Sequence, residues 1–220
     1  MIALKASEIA RIVGGKLSGA DVLVTAAPVI NSADATPGSF FLALKGEKLD
    51  GHTFVADAQS HGAVLSLVST PVDGNHILVD DVVDALGKLA HHVRLSLPNL
   101  IVIGITGSQG KTTTKELLTS VLSSAALTIA PQGNFNNELG MPISLLQCTP
   151  ETKYCIVEMG ARHQGDIAKL AAIAQPNIGV VLRVGSAHVG EFGSVELIAK
   201  TKSELISTPV KGCSGNPWAV

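Results

Sequence analysis

The chain is poor in the residues that mark several common classes of protein. Aromatic residues make up only 3% of its 220 positions, too few for the stacked rings of a single-strand nucleic-acid platform. Charged residues are 15% and the net charge is -2, so no field of one sign exists to draw DNA, RNA or an anionic membrane. The three cysteines, Cys148, Cys155 and Cys213, are odd in number and lack paired spacing, which excludes a disulfide framework and a zinc site. Cys148 and Cys155 read instead as small buried hydrophobes. No apolar run approaches the roughly 18 residues of a membrane span. The opening Met1-Ile2-Ala3-Leu4-Lys5 lacks a basic region followed by a long apolar stretch, so no signal peptide is read. No internal repeat is present. The expectation is a cytoplasmic protein, monomeric where soluble, that engages neither nucleic acid nor membrane.

What is present points to a folded α/β chain. Hydrophobic residues at 46% and a mean hydropathy of +0.37 exclude a solvated, disordered polymer. The length allows one large domain or two small ones. Residues 1–97 read as a small α/β unit. A helix is expected over Ala6–Val13, with Ser7 as its cap and Gly14-Gly15 as its stop. Strands are expected at 22–26, 40–44, 63–68 and 77–79, and helices at 52–59 and 82–97. Pro98-Asn99 breaks this pattern.

A different rhythm follows. Leu100–Thr106 is a continuous apolar run, as in a strand buried on both faces. Further strands are expected at 127–130, 154–158 and 178–184, and helices at 112–124, 139–147, 167–174 and 195–207. Their alternation predicts a parallel, doubly wound sheet.

Directly after the first of these strands stands Gly107-Ser108-Gln109-Gly110-Lys111-Thr112-Thr113. Glycines let backbone N–H groups approach phosphate oxygens, and the helix that follows adds the positive end of its dipole. Lys111 supplies a cation for the β- and γ-phosphates, and Thr112 a hydroxyl for Mg2+. The first glycine of the usual loop pattern would fall at Ile105, so the match is displaced: here the glycines are Gly104, Gly107 and Gly110.

Two polar residues follow later strands. Glu158 closes the strand 154–158, and carboxyl ends of strands are where open α/β sheets bind ligands, so it is a candidate Mg2+ ligand. Taken alone, it reads equally well as a charge at a strand end. His188 follows the apolar run 178–182 in the same way, although a lone histidine is more often structural. The cluster Asn134-Phe135-Asn136-Asn137 precedes a helix and reads as turn and cap, or as contacts to a polar ligand; its chemistry leaves both open.

Taken together, these segments resemble the Mur ligases, which build the peptide stem of the bacterial cell-wall precursor. Residues 104–116, G-I-T-G-S-Q-G-K-T-T-T-K-E, are similar to the family's ATP-binding loop, displaced glycine included. Residues 36–46 and Asp50-Gly51-His52 are similar to its N-terminal UDP-sugar domain. Residues 134–142, Glu158-Met159-Gly160-Ala161 and residues 187–194 resemble the branch that adds D-alanyl-D-alanine. The resemblance reaches to about Ser207. It implies an ATP- and Mg2+-dependent ligase acting on UDP-MurNAc-tripeptide and D-alanyl-D-alanine through an acyl phosphate. Residues 1–97 would form the UDP-MurNAc-binding domain, and 98–207 an incomplete P-loop-type ATP-binding domain. By resemblance, Lys111, His188 and Lys202 are catalytic, Lys202 as a carbamylated lysine. Residues 107–113 (Gly107, Ser108, Gln109, Gly110, Lys111, Thr112 and Thr113) and Asn137 bind nucleotide, and Thr112, Glu158 and His188 hold metal.

Three departures from the family pattern stand out. Asn31-Ser32-Ala33 replaces D-S-R in the uridine-binding region, which removes charge-assisted hydrogen bonds worth roughly 1.5–3 kcal/mol each. Arg183 stands where asparagine is usual. Residues 208–220, which carry Trp218, do not resemble a family continuation, so the chain is expected to be C-terminally truncated, with a natural short form as the alternative. Exposed apolar surface and poor solubility are expected in consequence. Two other readings stand beside the first: an inactive fragment that retains nucleotide binding, and a related ligase with another amino-acid substrate.

Overall fold

A computed structural model describes residues 1–131, 135–185 and 194–207. The chain forms two compact units, Met1–Val93 and Arg94 onward. Among the described residues, no helix is long and apolar enough to cross a membrane.

In the first unit, β1 (Leu4–Lys5) pairs antiparallel with β3 (Leu23–Val24). Helix α1 (Ala6–Val13) follows β1 directly, so Ser7 lies inside its first turn and is not the cap. Its N–H instead donates to Asp21 Oδ1 at 2.8 Å, and Glu8 accepts from the Lys5 N–H at 2.9 Å. Gly14 ends α1 in the left-handed region, φ 72°, where a side chain would be strained. The main sheet has the order β2-β6-β5-β4, built from β2 (Lys16–Ser18), β4 (Phe40–Leu42), β5 (Leu65–Val68) and β6 (His76–Leu78). β4, β5 and β6 run parallel, and β2 is antiparallel to β6. Phe41 and Val68 on this sheet pack with Val55 and Ala58 of α2 (Val55–Ser60). The helix expected from 52 begins as a 3-10 turn over Gly51–Phe54. Helix α3 (Val82–Ser96) begins in this unit, and its last residues from Arg94 belong to the second.

The second unit alternates strictly between strand and helix: β7 (Ile101–Thr106), α4 (Lys111–Ser123), β8 (Thr128–Ile129), α5 (Gly140–Leu146), β9 (Tyr154–Glu158), α6 (Asp166–Ala174), β10 (Ile178–Val181) and α7 (Val195–Ser207). All four strands are parallel in the order β10-β7-β9-β8, the doubly wound sheet expected from the sequence. β7 is central and buried beyond its first residue. From β7 the chain passes to β8 and back to β9 on one side, then crosses to β10 on the other, so the ligand crevice of such a sheet falls at the carboxyl end of β7.

β10 ends at Val181, short of the expected 184, and Ile178 is 48% and Val181 36% exposed where the strand lies at the end of the described sheet. Arg94, at the start of the second unit, is buried. It donates to the carbonyls of Ala174 and Leu97 and to Asn177 Oδ1, and burial holds its pKa below the usual guanidinium value.

Candidate active site

β7 delivers the chain to the crevice in a fixed direction. Thr106 at its end is fully buried and donates its hydroxyl to the Met159 carbonyl at 2.9 Å, which ties the exits of β7 and β9 together. The chain then turns through Gly107–Gly110. Gly110 has φ 85°, a conformation open to glycine, and from it α4 starts at once. The first N–H groups of that helix have no partner within it and face an incoming anion with the favourable end of the dipole behind them. Lys111 folds its ammonium back onto the Gly107 carbonyl at 3.0 Å.

Thr112 Oγ1 donates to Glu158 Oε2 at 3.3 Å, and Glu158, only 2% exposed, accepts from Asn136 Nδ2 at 3.1 Å through its other oxygen. A buried carboxylate is held here by two hydrogen bonds at the carboxyl end of its strand. Asn136 is fixed in turn by the Gly160 N–H, which donates to its carbonyl at 2.7 Å. A methyl group on Gly160 would lie 3.0 Å from Asn136 Oδ1, so this approach depends on the missing side chain.

Lys202 on α7 joins the cluster. It is 5% exposed, and burial first and the Lys111 charge second push its amine below the usual lysine range. Lys115, not singled out in the sequence, is also buried and donates to the Pro131 carbonyl at 3.0 Å, tying α4 to the chain beyond β8.

Other expected residues have different partners. Asn137 accepts from the N–H groups of Gly140 at 2.9 Å and Leu139 at 3.3 Å, which holds the first turn of α5. Its neighbour Asn136 is the asparagine that reaches Glu158. Nothing in the sequence distinguishes the two; the Gly160 contact does. Ser108 donates its N–H to the Arg183 carbonyl at 3.0 Å, and its hydroxyl accepts from the Gly185 N–H at 3.0 Å. These bonds stitch the loop to the chain after β10. Gln109, Thr112 and Thr113 are exposed at the crevice. His188 and Asn134 lie outside the described residues.

Among the described residues, no cluster of three histidine, cysteine or acidic side chains is placed to hold a metal. Mg2+ at a nucleotide needs few protein ligands, because it takes hard oxygens from phosphates and water. The Thr112 hydroxyl and the Glu158 carboxylate fit that requirement. In the first unit, Asn31 Oδ1 accepts from the Ala33 N–H at 3.3 Å and starts a short 3-10 turn over Ser32–Asp34.

The chain matches two family models, the Mur ligase middle domain over residues 105–214 and the Mur ligase family catalytic domain over residues 29–94. The first of these runs on into the segment 208–220 that the sequence sets apart. The UDP-N-acetylmuramoyl-tripeptide–D-alanyl-D-alanine ligase of Mycobacterium tuberculosis is 44% identical over 93% of this chain and 46% of its own length. A crystal structure of MurF from Acinetobacter baumannii superposes with a TM-score of 0.86 at 37% identity, covering 95% of this chain and 47% of that one. A MurF ligase from Thermotoga maritima, in complex with ADP, gives a TM-score of 0.73 at 40% identity over 83% of this chain and 43% of that one. The chain thus spans about half the length of these relatives. With the middle-domain model covering half of its residues and the loop, sheet and strand-end carboxylate in place, the chain belongs to the Mur ligase family.

Proposed function

We propose that the chain serves ATP-dependent amide ligation in the cytoplasm, joining D-alanyl-D-alanine to UDP-MurNAc-tripeptide in peptidoglycan precursor synthesis. The observation that carries this reading is the convergence of Lys111, Thr112, Asn136, Glu158 and Lys202 at the carboxyl end of one parallel sheet. The names of the D-alanyl-D-alanine ligase relatives support the substrates, and the ADP complex of the Thermotoga maritima relative supports the nucleotide.

In this reading, residues 1–97 bind the UDP-sugar and residues 98–207 the nucleotide. Gly107, Gln109 and Gly110 shape the loop, and the N–H groups at the start of α4 bind phosphate. Lys111 spreads positive charge over the β- and γ-phosphates. Thr112 and Glu158 hold Mg2+, and His188 contributes to a second metal. The ion supplies charge neutralisation at the transferred phosphoryl group. A carboxylate oxygen of the tripeptide attacks the γ-phosphorus, and ADP leaves with the electrons of the broken P–O bond. The dipeptide amine then attacks the acyl carbon, phosphate leaves, and the amine gives up a proton to solvent.

Lys202 acts as a carbamate: its neutral amine adds to the carbon of CO2 and an N–H proton is released to water. Burial favours the neutral amine that begins this step, and the Lys111 charge favours the anion that ends it. Ser108 and Asn137 shape the site through their backbone partners.

Calorimetry with Mg-ATP, followed by an assay for ADP release, tests the proposal. Binding is expected to weaken by roughly tenfold or more in Lys111→Ala. ADP release is expected only when both UDP-MurNAc-tripeptide and D-alanyl-D-alanine are present. Unchanged ATP affinity in Lys111→Ala would overturn the assignment of the loop. Binding without turnover would restrict this chain to the nucleotide-binding part of the reaction.

A further inference from the structure

Helix α7 lies on the sheet at an unusual place. Gly104 of β7 and Gly179 of β10 are register partners, so two neighbouring strands lack side chains at the same level. Leu205, 2% exposed, sits in the trough they form. A Cβ on Gly104 would lie 3.1 Å from Leu205 Cδ1, and one on Gly179 would lie 3.3 Å from Leu205 Cγ. Leu205 belongs to a buried stripe with Ile198, Thr201 and Lys202, and the apolar part of that packing is non-directional. Each residue advances an α-helix by about 100°, so a slip of one position would carry Lys202 away from the nucleotide loop.

A second contact adds a directional constraint. Glu204 Oε1 accepts from the Gly165 N–H at 2.9 Å, and its Oε2 accepts from the Ala168 N–H at 3.0 Å. Both carboxylate oxygens are thus bonded to the start of α6, where the helix dipole also favours a negative charge. A carboxylate bonded through both oxygens has a defined direction, and it is two residues from Lys202 on the same helix.

We propose that Glu204 is a positioning residue: its carboxylate locks α7 to α6 in the one rotation that keeps Lys202 buried beside Lys111. The inference rests on the reading of Lys202 as a reactive amine at the ligation site. It extends that reading to a residue that neither touches nucleotide nor carries out chemistry.

The test is the rate at which a water-soluble acetylating reagent modifies the Lys202 ε-amine in the intact 220-residue chain, read by peptide mass spectrometry. Glu204→Ala is expected to raise that rate by at least tenfold, the effect of losing even one of its two charge-assisted hydrogen bonds. Glu204→Gln keeps one acceptor oxygen and is expected to fall between Glu204→Ala and the unaltered chain. Lys200→Gly weakens the same helix by backbone propensity alone and is expected to raise the rate by no more than about fivefold. An unchanged rate in Glu204→Ala, or an equal rise in Lys200→Gly, overturns the proposal. Should Glu204→Ala fail to fold, Glu204→Gln decides: a faster rate supports the proposal and an unchanged one overturns it.

Carbamate formation, followed by NMR with 13C-bicarbonate, separates this inference from the reading beneath it. No signal in the unaltered chain refutes the carbamylation of Lys202, while the acetylation rates still decide the role of Glu204. A signal of equal strength with and without Glu204 overturns the positioning role.

Discussion

At the scale of single residues, the buried lysine of α7 is the group whose charge is most consequential. Lys202 is a cation whose pKa in the folded chain is held below the ordinary 10.5, chiefly by burial. It therefore opposes folding when protonated. The penalty is complete below the folded pKa and is relieved as pH rises towards 10.5, because in that window the unfolded chain binds more protons. Stability should rise with pH across the window in CO2-free buffer. Lys202→Met removes the buried charge at similar volume, so it should raise Tm at pH 7 by roughly 2–4 °C and flatten the rise at alkaline pH. Thermal melts of both chains from pH 7 to pH 10 check this. Cys155 shifts in the opposite sense. The hydrogen bond with Cys148 and then burial push the Cys155 thiol well up, and both side chains are fully enclosed. Neither should be alkylated by iodoacetamide at pH 8 until denaturant is added, which peptide mapping would reveal.

At the scale of elements, two adjacent asparagines separate what a helix needs from what the site needs. Asn137 holds the first turn of α5, whereas Asn136 braces Glu158. Asn137→Ala should cost about 1 kcal/mol of stability and leave Mg-ATP affinity unchanged. Asn136→Ala should weaken Mg-ATP binding by roughly tenfold and also lower Tm, because it strips a donor from a buried carboxylate. Denaturant melts and calorimetry on the pair check the division, and the reverse pattern would return Asn137 to the nucleotide. The example also shows where sequence reasoning stops. The buried run before Gly107, the Gly-Lys-Thr start of α4 and the acid ending β9 were legible because each is a local pattern with a local cause. The choice between Asn136 and Asn137 was not, since it is made by Gly160 from another strand exit. Glu204 was equally hidden: on its own helix it looks like an ordinary acid, and its partners belong to α6. β1 and β2, of two and three residues, are too short for any periodicity to register.

At the scale of the whole molecule, the apolar composition does not end up entirely inside. A hydrophobic run reads the same in a central strand and in one at the end of a sheet, so the run 178–182 alone does not say which of its residues are exposed. Ile178 and Val181 lie open on β10, and Leu117 and Val121, one turn apart on α4, are 64% and 65% exposed. Such surface promotes association between copies. The chain should therefore self-associate with rising concentration in sedimentation velocity. Ile178→Lys with Val181→Lys should shift it towards monomer, since a charge at a strand edge opposes edge-to-edge pairing. Tm should barely move, because exposed substitutions usually change stability by no more than about 0.5 kcal/mol. Leu117→Lys with Val121→Glu tests the α4 surface separately: relief by this pair alone would place the adhesive face on the helix. A single monomeric species with one sharp melt at every concentration would mean that neither surface is adhesive.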